Sequence, residues 1–176
     1  SDELEQTKSS FSNYHIDDTP GLGIEDIENK IADFISSKDR TSAIEFVFID
    51  YFQLLIDAKS DCAISRLKAI ATKNNIALIC SSQLSRELEL REDKRPKLID
   101  LEEVIRFDYS GIDNVIFLYR PSYYIDEEYD IPLEELNLTF DECGELICYK
   151  KRKGMLSLKA VIYTSFNKRN RTWCLG

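Results

Sequence analysis

The feature that most constrains this chain is a run of four apolar residues, Phe46-Val-Phe-Ile49, that stops on an acid, Asp50. A run this short, rich in β-branched and aromatic side chains, predicts a strand. Its continuous rather than alternating hydrophobicity predicts burial on both faces, as in a parallel sheet packed between helices. Open α/β sheets bind ligands beyond the carboxyl ends of their strands, and Asp50 falls there. Four apolar residues followed by Asp is also the general form of a Walker B strand, whose carboxylate holds the Mg2+ of a nucleoside triphosphate, usually through water. A strand-end Asp serves just as well as a helix cap or turn residue, so the residue type alone leaves both readings open.

A second strand repeats the arrangement. Ile76-Ala-Leu-Ile-Cys80 runs into Ser81-Ser-Gln83, so it too ends on polar side chains. If the two strands are parallel neighbours, Asp50 and Gln83 emerge on one rim. A glutamine there can sense a terminal phosphate or orient an attacking water without itself exchanging a proton. The alternative is a cap on the helix that follows.

The rest of the chain alternates in kind. Residues 1–13 are polar and Ser-rich and are expected to be disordered, with an ordered domain over 14–176; a start at Ser1 without methionine fits a processed or excised piece. Tyr14–Asp18 reads as a short strand. Ile24, Ile27, Ile31, Phe34 and Ile35 recur at helical spacing, as do Ile64, Leu67, Ile70 and Ala71 within a helix over about 60–74. Residues 85–97 are dense in charge and end at Pro96, a loop or partly helical excursion. A short helix over 99–106 and a third buried strand, Val115–Tyr119, follow. Leu136–Phe140, Leu146–Lys150 and Leu158–Thr164 alternate and predict antiparallel strands, with a turn at Lys153-Gly154. The fold class is α/β, with a mixed sheet: parallel at the centre, antiparallel toward the C-terminus.

Composition excludes several classes. A chain of 176 residues with 43% hydrophobic side chains and mean hydropathy −0.32 makes one soluble domain, without a signal peptide or an apolar run of membrane-spanning length. Five scattered cysteines and one histidine, His15, form no zinc pattern and fit buried reduced thiols in the cytoplasm. The net charge of −9 is uneven: residues 144–176 hold eight Lys or Arg against Glu145, and residues 1–143 hold 15 bases against 31 acids. Such a basic tail is either a solvated hairpin or an element that meets phosphate.

Several segments, in order, resemble the motor domain of the DnaB-like replicative helicases. They are Ile16-Asp-Asp-Thr-Pro-Gly-Leu22, Phe48-Ile-Asp-Tyr-Phe-Gln-Leu54, Ile64-Ser-Arg66 with Leu67-Lys-Ala-Ile-Ala71, and Ser82-Gln-Leu-Ser-Arg86. Asp93-Lys-Arg-Pro96, Asp100-Leu101, Tyr119-Arg120 and Lys150-Lys-Arg-Lys-Gly154 follow. The resemblance covers roughly residues 14–165 and implies a RecA-like P-loop NTPase core. It makes Asp50 the Walker B acid near Mg2+ and Gln83 the γ-phosphate sensor. It makes Lys150 and Arg152 the pair that reaches a neighbouring subunit's nucleotide, a task suited to the planar, always-charged guanidinium. Arg86, Arg120 and Tyr124 fall near family positions without an assigned role. The resemblance also implies ATP and Mg2+ as cofactors, a homo-oligomeric ring (a hexamer), single-stranded DNA, and a loader or other replication proteins as partners. No membrane is implied.

One part is missing. None of the six glycines, at 21, 23, 111, 144, 154 and 176, is followed by Lys, so no G-x-x-x-x-G-K-S/T loop exists here to cradle phosphates. The resemblance places that loop, its strand and helix, and the strand with the catalytic glutamate upstream of residue 1. It also places the absent strand between the one ending at Gln83 and the one at 115–119. Either those two strands close up, or residues 1–13 or another molecule fill the slot. The segment between Leu55 and Ile64 is shorter than in the family. Glu102-Glu103 stand where a base is expected, which puts DNA contact in doubt, and residues 121–143 form an acidic, tyrosine-rich insertion. The expectation is a fragment of a helicase motor that does not hydrolyse ATP by itself. The alternative is a degenerate standalone module serving as a protein–protein or regulatory subunit.

Overall fold

The computed structural model describes residues 15–37, 44–101, 109, 111–124, 139, 141–152, 155–167, 169 and 172–174. Residues 1–14, the predicted strand core at 136–138, the turn at 153–154 and most of the insertion lie outside them, as do Glu102 and Glu103.

Helix α1, Ile24–Ser36, turns Ile24, Ile27 and Ile31 inward at the expected spacing. Its start is satisfied from two directions. The Gly23 N–H donates to Asp26 Oδ2 (2.7 Å), and the Ile24 N–H donates to Asp57 Oδ1 (3.0 Å). Asp57 also accepts from Arg66 Nη1 (2.9 Å) on helix α2, Ala63–Asn74, so one carboxylate fastens the two helices together. Helix α2 buries Ala63, Leu67 and Ile70 and ends on Asn75 in the left-handed region (φ 51°), whose N–H returns to Ala71 and Thr72 carbonyls.

Two hydrogen-bonded sheets result. Strands β1, Phe46–Ile49, and β2, Ala77–Cys80, pair in parallel with Phe46 opposite Ala77 and Ile49 opposite Cys80. Strands β3 (Asn114–Tyr119), β4 (Cys143–Arg152), β5 (Met155–Asn167) and β6 (Thr172–Cys174) form an antiparallel sheet in that order. Both parallel and antiparallel strands are therefore present. Among the described residues, however, no ladder joins β2 to β3, so those strands do not close up into one sheet.

The burial of β1 departs from expectation. Val47 and Ile49 pack on the core with α1 and α2, but Phe46 and Phe48 are 65% and 62% exposed. Strand β3 repeats this pattern: Val115, Phe117 and Tyr119 are buried, while Ile116 and Leu118 are open. Each sheet thus has one covered face and one open apolar face, and each exposed side chain forgoes about 1.5–3 kcal/mol of burial.

Other differences are local. Residues 15–18 form no strand; Asp17 instead accepts from the Thr19 N–H (3.0 Å) and pairs with Lys30 (2.6 Å), a side-chain-supported turn. The predicted helix at 99–106 is a 3-10 turn at Leu98–Leu101, its remainder lying outside the described residues. Cys143 is buried but Cys62 is exposed, and Cys62, Cys80, Cys143 and Cys148 are free thiols. No helix among the described residues is long and apolar enough to cross a membrane.

The two hydrophobic clusters meet at α2, where Ile64 packs against both. The approach is close: a Cβ at Gly111 would stand 2.7 Å from the Ile64 carbonyl oxygen, so only glycine fits. Lys68 and Asp113 form an ion pair at the same junction.

Candidate functional site

Asp50 and Gln83 share one rim because β1 and β2 run parallel and end in register. The pairing continues past the strand ends: the Ser81 N–H donates to the Ile49 carbonyl (3.0 Å), and the Phe52 N–H donates to the Ser81 carbonyl (2.9 Å). The Ser81 hydroxyl then donates to Asp50 Oδ1 (2.6 Å). Asp50 does not cap the 3-10 turn Phe52–Leu54 behind it, whose preceding residue is Tyr51. The cap reading fails for Gln83 too. The following 3-10 turn, Arg86–Leu90, is capped by Ser85, whose hydroxyl accepts from the Glu87 N–H (3.3 Å). Both Asp50 and Gln83 are exposed. Beside them, burial and, secondarily, the charge of Asp50 push the Cys80 thiol up to about 12.

The residue reasoning passed over here is Gln53. Its Nε2 donates to the Gln83 carbonyl and the Ser82 hydroxyl (3.1 Å each), and its Oε1 accepts from the Gln83 N–H (3.3 Å). These partners lie about thirty positions away and leave no periodicity to detect. Gln53 was visible only as one letter of the Asp50–Leu54 motif.

The charged excursion after Gln83 is held down by two forks. Arg91 donates from both terminal nitrogens to Asp100 (2.9 and 3.0 Å), which also takes the Lys97 N–H (2.7 Å). Arg95 donates from Nε and Nη2 to Glu145 on β4 (2.9 and 2.8 Å), its guanidinium 5.5 Å from the Tyr119 ring. Glu145 is 1% exposed. The Asp93 carboxylate is held below its usual range, chiefly by the Arg95 N–H, with Lys97 contributing.

Lys150 and Arg152 lie on β4, in the other sheet. Lys150 is exposed and stands opposite Asn114 and Ser157; Arg152 stands opposite Met155 at the hairpin end, its side chain outside the described residues. The structure therefore brings Asp50 and Gln83 together and leaves the Lys150–Arg152 end apart. Arg120 and Tyr124 line a groove of about 240 Å3 with Leu88, Lys94, Tyr123 and Phe166. Within it the Arg120 guanidinium sits 4.7 Å from the Phe166 ring, and desolvation and the bond to Glu89 push the Tyr124 hydroxyl up to about 12.

No group of three or more metal-ligating side chains occurs among the described residues, so no all-protein metal cage is described. One exposed carboxylate steadied by a serine does fit Mg2+, which is held by one or two carboxylates together with waters and phosphates. Asp50 and Ser81 are the residues that would hold it.

Solved structures share this fold. A DnaB-like replicative helicase, solved with attention to its interactions with primase, matches 98% of this chain and 40% of its own with TM-score 0.74 and 29% identity. A solved ATPase domain matches 98% of this chain and 58% of its own, with the same score and identity. The fold is that of a RecA-like helicase ATPase domain. At the level of sequence, the DnaB-like helicase C-terminal domain matches residues 2–171. The replicative DNA helicase DnaB of Rickettsia conorii is 35% identical over 168 residues, covering 86% of this chain and 33% of the relative. The replicative DNA helicase DnaC of Bacillus subtilis is 32% identical over 169 residues, covering 90% and 34%. The chain belongs to the DnaB-like helicase C-terminal domain family, and it spans about a third of the length of these relatives.

Proposed function

We propose that this chain is the part of a DnaB-like helicase motor that carries the metal-side acid, the phosphate sensor and the bases acting on a neighbouring subunit. The observation that carries this reading is the shared rim, where Asp50 and Gln83 leave two parallel strands side by side. Ser81 holds one oxygen of Asp50 and leaves the other for a metal-bound water. When bound, Mg2+ neutralises charge on the transferred phosphoryl group. Gln83, exposed and uncharged, offers its side-chain amide to the γ-phosphate. Lys150 and Arg152 serve a nucleotide held by the next subunit, which accords with their place in the other sheet. The intact motor then works as a hexameric ring in the cytoplasm, coupling ATP hydrolysis to movement along single-stranded DNA with a loader or other replication proteins.

By itself the chain has no loop to cradle phosphates, and it neither binds ATP tightly nor hydrolyses it. Calorimetric titration with ATP and Mg2+ checks this; a submicromolar Kd would overturn it. In the intact ring, Arg152→Ala is expected to abolish DNA-stimulated hydrolysis while nucleotide binding persists. The open apolar faces favour a second reading, a module that docks on another polypeptide without chemistry of its own. Unchanged hydrolysis in a ring carrying Asp50→Asn or Gln83→Ala would select that reading.

A further inference from the structure

We infer that Gln53 is the positioning residue for Gln83, a side-chain clamp that holds the backbone of the sensor at a fixed distance from Asp50. This rests on the reading of Gln83 as the phosphate sensor. A primary amide offers one acceptor and two donors, and Gln53 uses both kinds on a single residue. Oε1 takes the Gln83 N–H, and Nε2 gives to the Gln83 carbonyl. The side chain therefore does what a neighbouring strand does for a paired residue, and it does so where the backbone ladder has stopped. Residues 81–85 have no regular structure of their own. Ser82 closes the ring: its hydroxyl accepts from Gln53 Nε2 (3.1 Å) and donates to the Gln83 carbonyl (3.0 Å).

The base of the clamp is firm. Gln53 sits in the 3-10 turn between buried Phe52 and buried Leu55, with Leu54 N–H on the Tyr51 carbonyl (3.0 Å) and Leu55 N–H on the Phe52 carbonyl (3.1 Å). The same turn begins two residues after Asp50, with Tyr51 between them. A displacement of the acid is thereby transmitted to the sensor through one side chain. Reacting groups misplaced by about 1 Å can lose about 100-fold in rate, so a clamp of this kind matters to kcat more than to binding.

The test uses Gln53→Met, which keeps the length and loses the hydrogen bonds, and Gln53→Glu, whose ionised carboxylate keeps the acceptor and loses the donor. Amide hydrogen exchange of this chain by NMR is expected to show the Gln83 N–H exchanging about tenfold faster in Gln53→Met, the loss of roughly 1.4 kcal/mol of hydrogen bonding, with α1 and α2 unchanged. In Gln53→Glu the carboxylate still accepts from the Gln83 N–H, so protection of that amide should persist, while the donor to the Gln83 carbonyl is lost until the introduced carboxyl protonates. The Gln83 carbonyl carbon resonance should therefore titrate with that carboxyl, a pH signature that a merely space-filling role would not give. Unaltered exchange at Gln83 in Gln53→Met overturns the clamp whatever the motor does. In the intact ring, Gln53→Met is expected to lower kcat about 10- to 100-fold with KM for ATP nearly unchanged. Faster exchange with unchanged kcat, where Gln83→Ala abolishes turnover, overturns the positioning role. If Gln83→Ala also leaves turnover intact, the sensor reading fails and the positioning role falls with it, while the exchange result stands.

Discussion

The two sheets are built on opposite principles. Strands β1 and β2 share four residues of parallel pairing and lean on α1 and α2 for their core. Strands β4 and β5 run ten and thirteen residues and bind their neighbours on both sides. The short sheet carries the acid and the glutamine; the long one carries the basic hairpin. Where the ladder is short, side chains finish the job: Ser81 for Asp50, Gln53 for Gln83. Where the ladder is long, an ion pair between part-exposed Arg95 and buried Glu145 pins the intervening excursion to it. The half that holds the candidate chemistry is thus the less self-sufficient.

The largest effect should come from that pin. Removing Arg95 leaves Glu145 buried without a partner, so Arg95→Ala is expected to cost about 3–5 kcal/mol in urea unfolding. Glu145→Gln leaves only a part-exposed guanidinium and should cost clearly less. Equal costs would mean that the carboxylate reaches water. In the short half, Leu67→Ala should cost about 2–4 kcal/mol by emptying the core under β1 and β2. Hydrogen exchange should then rise in β1 and β2 before β4 and β5; a uniform rise would show that the halves unfold as one unit.

The open face predicts a smaller change. Phe48→Ser should shift stability by no more than about 0.5 kcal/mol, and a loss above 2 kcal/mol would show that Phe48 is covered in solution. The smallest effect belongs to Asp93. Its carboxyl is held below the ordinary range, so its contribution is present above the unfolded value of about 3.9 and is lost as pH falls below it. Asp93→Asn should therefore narrow the stability difference between pH 6 and pH 3 without altering the order of the other variants.

Much of the rim was legible in the chain. Two short apolar runs, each ending on polar residues, put Asp50 and Gln83 on one rim if their strands are parallel neighbours, and they are. The exposure of Phe46 and Phe48 was not legible, because a continuous apolar run states what a strand prefers, not what is present to cover it. The strand read at Tyr14–Asp18 misled for a different reason: over residues 15–18 the side chain of Asp17 bonds locally to the Thr19 N–H and to Lys30 instead of leaving the backbone to a ladder. The charges at 85–97 read correctly as an excursion. Their function as a fastening did not show, since Arg95 and Glu145 are fifty positions apart and pair only after β4 has formed. The Gln53 clamp escaped for the same reason.

Gly111 gains weight from this division. It carries no chemistry of its own, yet its missing side chain sets how near the β3 approach can come to α2. A single added methyl there would act as a shim between the two halves. The spacing between the half that carries Asp50 and the sheet that carries Lys150 is thus gauged in part by a hydrogen atom, three residues before the Asn114 that pairs with Lys150.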